Sequence, residues 1–334
     1  MQDAFNEGAV AIGVDIGGTK IRAGLVRRDG AVLKELTLPA LAEKRRVMDQ
    51  VFLAINTLRM YGEETGSGTL AGIGVGSAGQ IDFERGSVHF ASDLIPGYTG
   101  MPIRELIEKK YALPVYVDND VNVMALAEHE LGAGKGCRHL VCLALGTGVG
   151  GAVITDNRLL HGARGGAGEI GHLSVDLHGP RCICGNRGCV EVYASGTSIA
   201  GRYREEIAAQ DRALMKEAPA DTRQIVTRWL DGEPAAGKVM EDAIAALGSA
   251  VTSLIHVFNP QAVIIGGGLA EIGEPLFAPL RQRVEATAMA SMRQEVRILP
   301  AELGGGSNMI GAALQVWVYG RERAAAAAAN ANEV

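Results

Sequence analysis

The chain has 334 residues, of which 47% are hydrophobic and 45 are glycine, and it carries a net charge of −6. That length exceeds one domain of ~150 residues, so two lobes are expected, and the acidic balance disfavours nucleic acid or an anionic membrane as the main partner. No leader pairs basic and apolar residues like a signal peptide and no run approaches the ~18 apolar residues of a membrane span, so a cytoplasmic protein is expected; five cysteines, three of them within eight residues, are not a secreted disulfide framework.

The first apolar run, Val10-Ala11-Ile12-Gly13-Val14, reads as a buried strand. It leads through Asp15-Ile16-Gly17-Gly18-Thr19-Lys20 into Ile21 to Val26, a second strand. Glycines in such a turn let the backbone approach a phosphate, and a run of turn amides cradles an anion. An Asp on the strand before it can hold a hydrated Mg²⁺. The plainer alternative is a hairpin with a Gly-rich turn.

Residues 43–61 carry Val47, Val51, Ala54, Ile55 and Leu58 at helical spacing. Leu70 to Val75 is a third buried strand, Pro102 to Tyr111 a helix, and Pro114 to Val117 a strand ending at Asp118-Asn119-Asp120. A helix follows over 121–131, stopped by Gly132-Ala133-Gly134. The Asp-Asn-Asp triplet is open to two readings. Asp or Asn commonly caps a helix, but the carboxyl end of a strand is also where open α/β sheets bind ligands, and an Asp beside an Asn can take a hydroxyl proton while the amide orients a sugar.

Leu140 to Leu145, Gly146-Thr147-Gly148-Val149-Gly150-Gly151 and Ala152 to Ile154 repeat the strand–turn–strand unit, which suggests an internal duplication with one phosphate loop per lobe. Gly146–Gly151 and Gly74–Gly79 both match G-x-G-x-x-G, but a dinucleotide fold needs a helix to begin there. Here a strand and the turn residues Asp156-Asn157 follow Gly151. Thr19-Lys20 also reverses the order a Walker A loop requires. Residues 155–192 read as an elaborate Gly-rich loop, 196–258 as mostly helical, 262–268 as strand into Gly turn, and 307–319 as a closing helix.

Within the long loop, Gly168-Glu169-Ile170-Gly171-His172 precedes Cys182-Ile183-Cys184-Gly185-Asn186-Arg187-Gly188-Cys189. One imidazole and three thiolates make a closed tetrahedral zinc set, hence a structural metal; free thiols with a hydrogen-bonded His are the alternative. Cys137 and Cys142 read as packing residues.

Together these motifs resemble the ROK family of sugar kinases and sugar-responsive repressors, from Val10 to about Trp317. The resemblance is carried by Asp15 to Lys20, by Asn119-Asp120 with Asn122 and Glu128, by Leu145 to Gly148, by Gly168 to His172, by the Cys-x-Cys-Gly-x-x-Gly-Cys-x-Glu run and by Gly266-Gly267-Gly268. It implies an α/β, two-lobed, actin-like ATPase (ribonuclease H-like) fold of hexokinase type with a zinc-stapled loop. The lobes expected are 1–119, closed by a C-terminal helix at about 306–323, and 120–305 with the zinc loop at 165–191; 324–334 is an Ala-rich tail expected to fray.

By the same resemblance Asp120 is the general base on the sugar 6-hydroxyl, and Gly79, Asn119, Glu169, His172 and Glu191 hold the sugar. His172, Cys182, Cys184 and Cys189 bind a structural Zn²⁺. Asp15, Gly17, Gly18, Thr19, Lys20, Gly146, Thr147 and Gly148 surround the phosphates of ATP with Mg²⁺, and Gly266 and Gly267 lie by the adenosine. The implied activity is ATP-dependent hexose 6-phosphorylation, glucose first, then N-acetylmannosamine or N-acetylglucosamine, then fructose, in a homodimer. Two departures, Gly76-Ser77-Ala78-Gly79-Gln80 for a Pro-Gly loop and Asp118 for a common Glu, bear on the sugar rather than on phosphoryl transfer. The family's repressors carry a helix-turn-helix ahead of the Asp-x-Gly-Gly-Thr motif. The 14 residues before Asp15 are too few for that, so an enzyme is expected.

Overall fold

A computed structural model describes residues 8–91, 95–210 and 221–331. The chain divides into two units, 1–136 with 159–167 and 303–334, and 137–158 with 168–302.

The first unit is built on a five-stranded sheet. Its strands are β1 (Val10–Ile16), β2 (Lys20–Arg27), β3 (Val32–Pro39), β4 (Leu70–Ser77) and, after a small hairpin of β5 (Gln80–Asp82) and β6 (Ser87–Phe90), β7 (Val115–Asn119). The order is β3-β2-β1-β4-β7. β1 pairs antiparallel with β2, bringing Asp15 opposite Arg22, and parallel with β4, bringing it beside Gly76. Helix α1 (Val47–Thr65) and helix α2 (Ile103–Tyr111) bury Val51, Ile55, Leu58, Ile103 and Ile107 against this sheet.

Helix α3 (Asp120–Glu130) follows β7, and the last helix, α10 (Ser307–Ala331), packs on both α3 and the sheet. Glycine makes that packing possible. A Cβ on Gly13 would meet the carbonyl of Met309, and one on Gly74 that of Ala312, so the helix lies almost directly on the strand backbones. The division therefore falls at Gly136 rather than at residue 119: α3 is buried with α10 and belongs to the first unit. The closing helix is also longer than its apolar pattern suggests. The alanine-rich stretch stays helical through Ala331, as alanine's propensity favours, while 332–334 lie outside the described residues.

The second unit repeats the plan. Its strands are β8 (Leu140–Leu145), β9 (Val149–Thr155), β10 (Arg158–Leu159), β11 (Ala262–Gly266) and β12 (Arg297–Pro300), in the order β10-β9-β8-β11-β12. β8 pairs antiparallel with β9 and parallel with β11. Both sheets thus have a hairpin on one side of a central strand and parallel strands on the other, which is the duplication that the two Gly turns suggest. Between β10 and β11 lie the loop to 190 and the helices α4 (Glu191–Ala194), α5 (Gly196–Gln210), α6 (Thr222–Leu230) and α7 (Pro234–Phe258); α8 (Glu274–Thr287) and α9 (Ala290–Arg293) precede β12.

Among the described helices, α7 has the length and mean hydropathy of a membrane span, which the apolar-run reading did not register. Its buried face, with Val239, Leu247, Val251 and Ile255, forms the centre of the second unit's core. Cys137 and Cys142 are buried and unbridged.

Candidate active site

In the first unit the turn after β1 is closed by Gly17 N–H donating to the Lys20 carbonyl at 3.0 Å. Asp15 precedes it. Burial raises its carboxyl above the usual range, opposed by a hydrogen bond from Asn308 and by the charges of Arg22 and Lys20. Asn308 stands in the first turn of α10, far away in sequence. Arg22 itself pairs with Glu35 at 2.6 Å and donates to the carbonyl of Gly305, tying the Gly304-Gly305-Gly306 run to this turn.

The Asn119-Asp120 pair sits where β7 ends and α3 begins. Asn119 does the capping considered for the triplet and carries a second tether. Its Oδ1 caps α3, accepting from Val121 N–H at 2.8 Å and Asn122 N–H at 3.3 Å, and its Nδ2 donates to the carbonyl of Gly79 at 2.9 Å. Gly79 has φ 98°, a conformation glycine adopts without strain. Asp120 follows, half-buried. Its carboxyl is pushed up to about 7, chiefly by burial and then by the negative charge of Asp15, against hydrogen bonds from Val121 and Asn119. A carboxylate poised near neutrality is suited to accept a proton.

Asp118 is different. It is 1% exposed, and each oxygen is engaged. Oδ1 accepts from Asn119 N–H at 2.7 Å and Asn122 Nδ2 at 2.8 Å; Oδ2 lies 2.7 Å from His161 Nε2. It is a buried anchor behind the pair. Glu128 is likewise buried and accepts from Ala133 N–H at 3.0 Å and Leu303 N–H at 2.9 Å.

In the second unit, Gly146-Thr147-Gly148 turns between β8 and β9, with Gly146 N–H donating to Gly148 O at 2.9 Å. Glu191, the first residue of α4, reaches back to this turn: its Oε2 accepts from Val149 N–H at 2.9 Å. Gly266 ends β11 and is buried; Gly267, at φ 85°, carries the chain past Leu145. A cavity of about 850 Å³ opens there. Gly146, Thr147, Thr197, Thr222, Gly268 and Glu271 line it with polar groups, and Ala200, Val226, Leu269 and Ile272 with apolar ones. An apolar slot with a few polar handles suits a nucleoside. Thr197, Thr222 and Glu271 escape sequence reading because α5, α6 and the short helical turn Ala270–Ile272 beyond the Gly266-Gly267-Gly268 motif carry no pattern of their own; only the fold brings them together.

The ligand atoms of His172, Cys182, Cys184 and Cys189 all lie within 4.8 Å of one another. Cys182 Sγ is 3.5 Å from His172 Nδ1, and Cys184 Sγ is 3.6 Å from Cys189 Sγ. A tetrahedral zinc with its usual bond lengths spaces its ligands about 3.5–3.8 Å apart. The four side chains fit that ion, with Nδ1 as the imidazole ligand. Glu169, immediately before the short helical turn of Ile170–His172, is exposed.

The structure therefore gathers Asp15, Gly17 to Lys20, Gly79, Asn119 and Asp120 in the first unit. It gathers Gly146 to Gly148, Glu169, His172, Glu191, Gly266, Gly267 and the three thiols in the second.

A model of the ROK family matches residues 11–317. The glucokinase of Thermotoga maritima is 36% identical over 313 residues, covering 90% of this chain and 95% of that protein. A ROK family glucokinase from Streptomyces griseus, solved in complex with glucose and AMPPNP, is 31% identical with a TM-score of 0.77, covering 91% of this chain and 98% of that one. The ROK hexokinase of Thermus thermophilus is 32% identical with a TM-score of 0.79, covering 94% and 99%.

Proposed function

The chain belongs to the ROK family, and from that premise we propose that it is an ATP-dependent kinase of hexoses, glucose first, acting on the 6-hydroxyl. The observation that carries the reading is the Asn119-Asp120 tip: a capped, doubly tethered amide next to a carboxylate raised to about 7. The glucokinase names of the relatives support the choice of glucose.

Phosphoryl transfer asks a protein mainly to position reactants and neutralise charge. Asp120 accepts the proton of the sugar 6-hydroxyl as that oxygen attacks the γ-phosphorus, and the bond from the γ-phosphorus to the bridging oxygen breaks to release ADP. One amide hydrogen of Asn119 is committed to Gly79 O, leaving the other to orient a sugar hydroxyl. Glu169, His172 and Glu191 are assigned to the remaining hydroxyls. The two Gly turns and Lys20 receive the phosphates, and the 850 Å³ cavity receives the adenosine. Asp15 would hold a Mg²⁺ with the nucleotide, which would offset phosphate charge; His172, Cys182, Cys184 and Cys189 would hold a structural zinc between Glu169 and the start of α4 at Glu191. The reading includes a cytoplasmic homodimer, which fractionation and a sizing measurement test.

The deciding experiment is an ADP-release assay across glucose, fructose, mannose, N-acetylmannosamine and N-acetylglucosamine. Turnover on glucose with the highest kcat/KM is expected. No turnover on any hexose overturns the reading, and a preference for an N-acetylhexosamine reassigns the sugar.

A further inference from the structure

Residues 159–167 pack with the first unit, although the chain on both sides of them belongs to the second. This strap is fastened at two places. At Gly165, whose φ is 74°, the backbone runs against the carbonyl of Ile81 so closely that a Cβ would have no room. At His161, Nε2 lies 2.7 Å from Oδ2 of the buried Asp118. The imidazole is stacked on Phe83, centroids 4.1 Å apart and planes at 17°, with the ring of Tyr319 6.5 Å away.

We propose that His161 is a positioning residue for phosphoryl transfer: through Asp118 it holds the Asn119-Asp120 tip in its working geometry. The inference rests on the kinase reading above. The physical path is short. A buried carboxylate is tolerated only when its oxygens are hydrogen-bonded, and Asp118 has three donors: His161 Nε2, Asn119 N–H and Asn122 Nδ2. The last two fix the backbone before Asp120 and a side chain after it, so Asp118 brackets the proposed base. Remove the imidazole donor and Oδ2 loses its partner. Asp118 must then recruit water or turn, and its other bonds turn with it. Misplacing a reacting group by an ångström can cost about 100-fold in rate. The strap belongs to the first unit, so this hydrogen bond ties residues 159–167 to a side chain two positions before the proposed base.

The test compares His161→Gln with His161→Phe. Glutamine can place an N–H near the Nε2 position; phenylalanine keeps the stacking on Phe83 but has no donor. For His161→Phe, kcat on hexose should fall about 10- to 100-fold, with the KM for ATP within about twofold of wild type and the amides of Asn119 and Val121 exchanging faster. His161→Gln should recover much of the kcat and of the amide protection. A residue that merely filled space would give the two variants the reverse order, since Phe packs better. Full kcat in a folded His161→Phe protein beside an active wild type overturns the inference alone, as does equal loss in both variants with unaltered amide exchange. A wild type inert on every hexose overturns the kinase reading and this inference with it. ATP binding by each variant reports that it has folded.

Discussion

Glu191 Oε2 accepts the N–H of Val149 at 2.9 Å, so a residue two positions beyond the last proposed zinc ligand holds the Gly146-Thr147-Gly148 turn. The family resemblance implies a sugar role for Glu191 and a phosphate role for the turn. The hydrogen bond makes the two assignments interdependent. Glu191→Ala should raise the KM for ATP about tenfold, the loss of one charged hydrogen bond, as well as the KM for hexose. Glu191→Gln, which keeps an acceptor, should spare the ATP term. Steady-state kinetics with each substrate varied in turn checks this, and an unchanged KM for ATP in Glu191→Ala would separate the two roles again. Gly148→Ala should resemble Glu191→Ala, because a Cβ there would stand 2.5 Å from Glu191 Oε2.

Asp120→Asn should keep the fold and the sugar affinity but lose about 10²–10⁴ in kcat, the usual contribution of a general base. It should also change stability in a pH-dependent direction. The folded state holds Asp120's proton up to about 7, whereas an unfolded chain gives it up near 3.8. The stability this group contributes is therefore complete below 3.8 and is lost as pH rises through about 7. The Asn variant escapes that loss, so it should melt above wild type at pH 8 and with little difference at pH 4. A melting temperature below wild type at pH 8 contradicts the assignment, and near-normal kcat removes Asp120 from the base role.

The pH dependence of kcat/KM reports the free enzyme. Activity should rise with pH through about 7 as Asp120 ionises. Asp15 is the second-largest cause of that raised value, after burial. Asp15→Asn, assayed on whatever turnover remains, should shift the acid limb to lower pH while leaving it above the range of an exposed carboxylate, because burial persists. A limb that does not move excludes Asp15 as a neighbouring charge.

How far the site could be read in advance depended on whether its chemistry was local. The two Gly turns, the Asn119-Asp120 tip and the His172–Cys189 cluster each lie in one short stretch, where residue type and spacing state the need directly. The repeated strand–turn–strand pattern points to a duplication, and the two sheets do share one plan, but their strand orders come from the fold alone. What was missed is non-local. His161 means nothing without Asp118, 43 positions earlier, and Asn308 meets Asp15 only because α10 returns to β1. The hairpin of β5 and β6 and the strand β12 show no signal in the sequence because three- and four-residue strands leave no periodicity to detect. The boundary at 119 was set by the motif; packing of α3 against α10, which pairs Gly311 with the carbonyl of Val123, set it at 136.

Gly267 has φ 85°, and a Cβ on it would collide with the carbonyl of Leu145 on the neighbouring strand. Gly267→Ala should therefore cost about 1–3 kcal/mol, read as a lowered melting temperature, and should impair ATP more than hexose because the strained segment borders the nucleotide cavity. Gly268→Ala is the control: nothing lies within 4 Å of its Cβ position, so its melting temperature should match wild type. Equal melting temperatures for both variants would show that the turn tolerates a side chain.

The last prediction concerns the metal. The loop from Ser174 to Cys189 is closed by two isolated bridges, Ser174 with Cys189 and Arg181 with Arg187, and Ile183 at its tip is 91% exposed. Such a loop gains little from burial, whereas structural zinc can contribute on the order of 10 kcal/mol. Cys184→Ser should lose the ion. Glu169 and Glu191 flank the ligands on either side, so the KM for hexose should rise strongly. Since Glu191 also supports the turn at Gly148, the KM for ATP should rise too, but by no more than in Glu191→Ala. That ceiling distinguishes local loosening from collapse: the turn keeps its own Gly146–Gly148 hydrogen bond and Gly196 N–H still donates to Gly146 O at 2.9 Å. Elemental analysis of purified wild type and variant, beside titrations of each substrate, checks it. Full activity in zinc-free wild type refutes the metal site. Loss of ATP affinity beyond that of Glu191→Ala, with a lost cooperative melt, would mean that zinc holds the whole second unit rather than one loop.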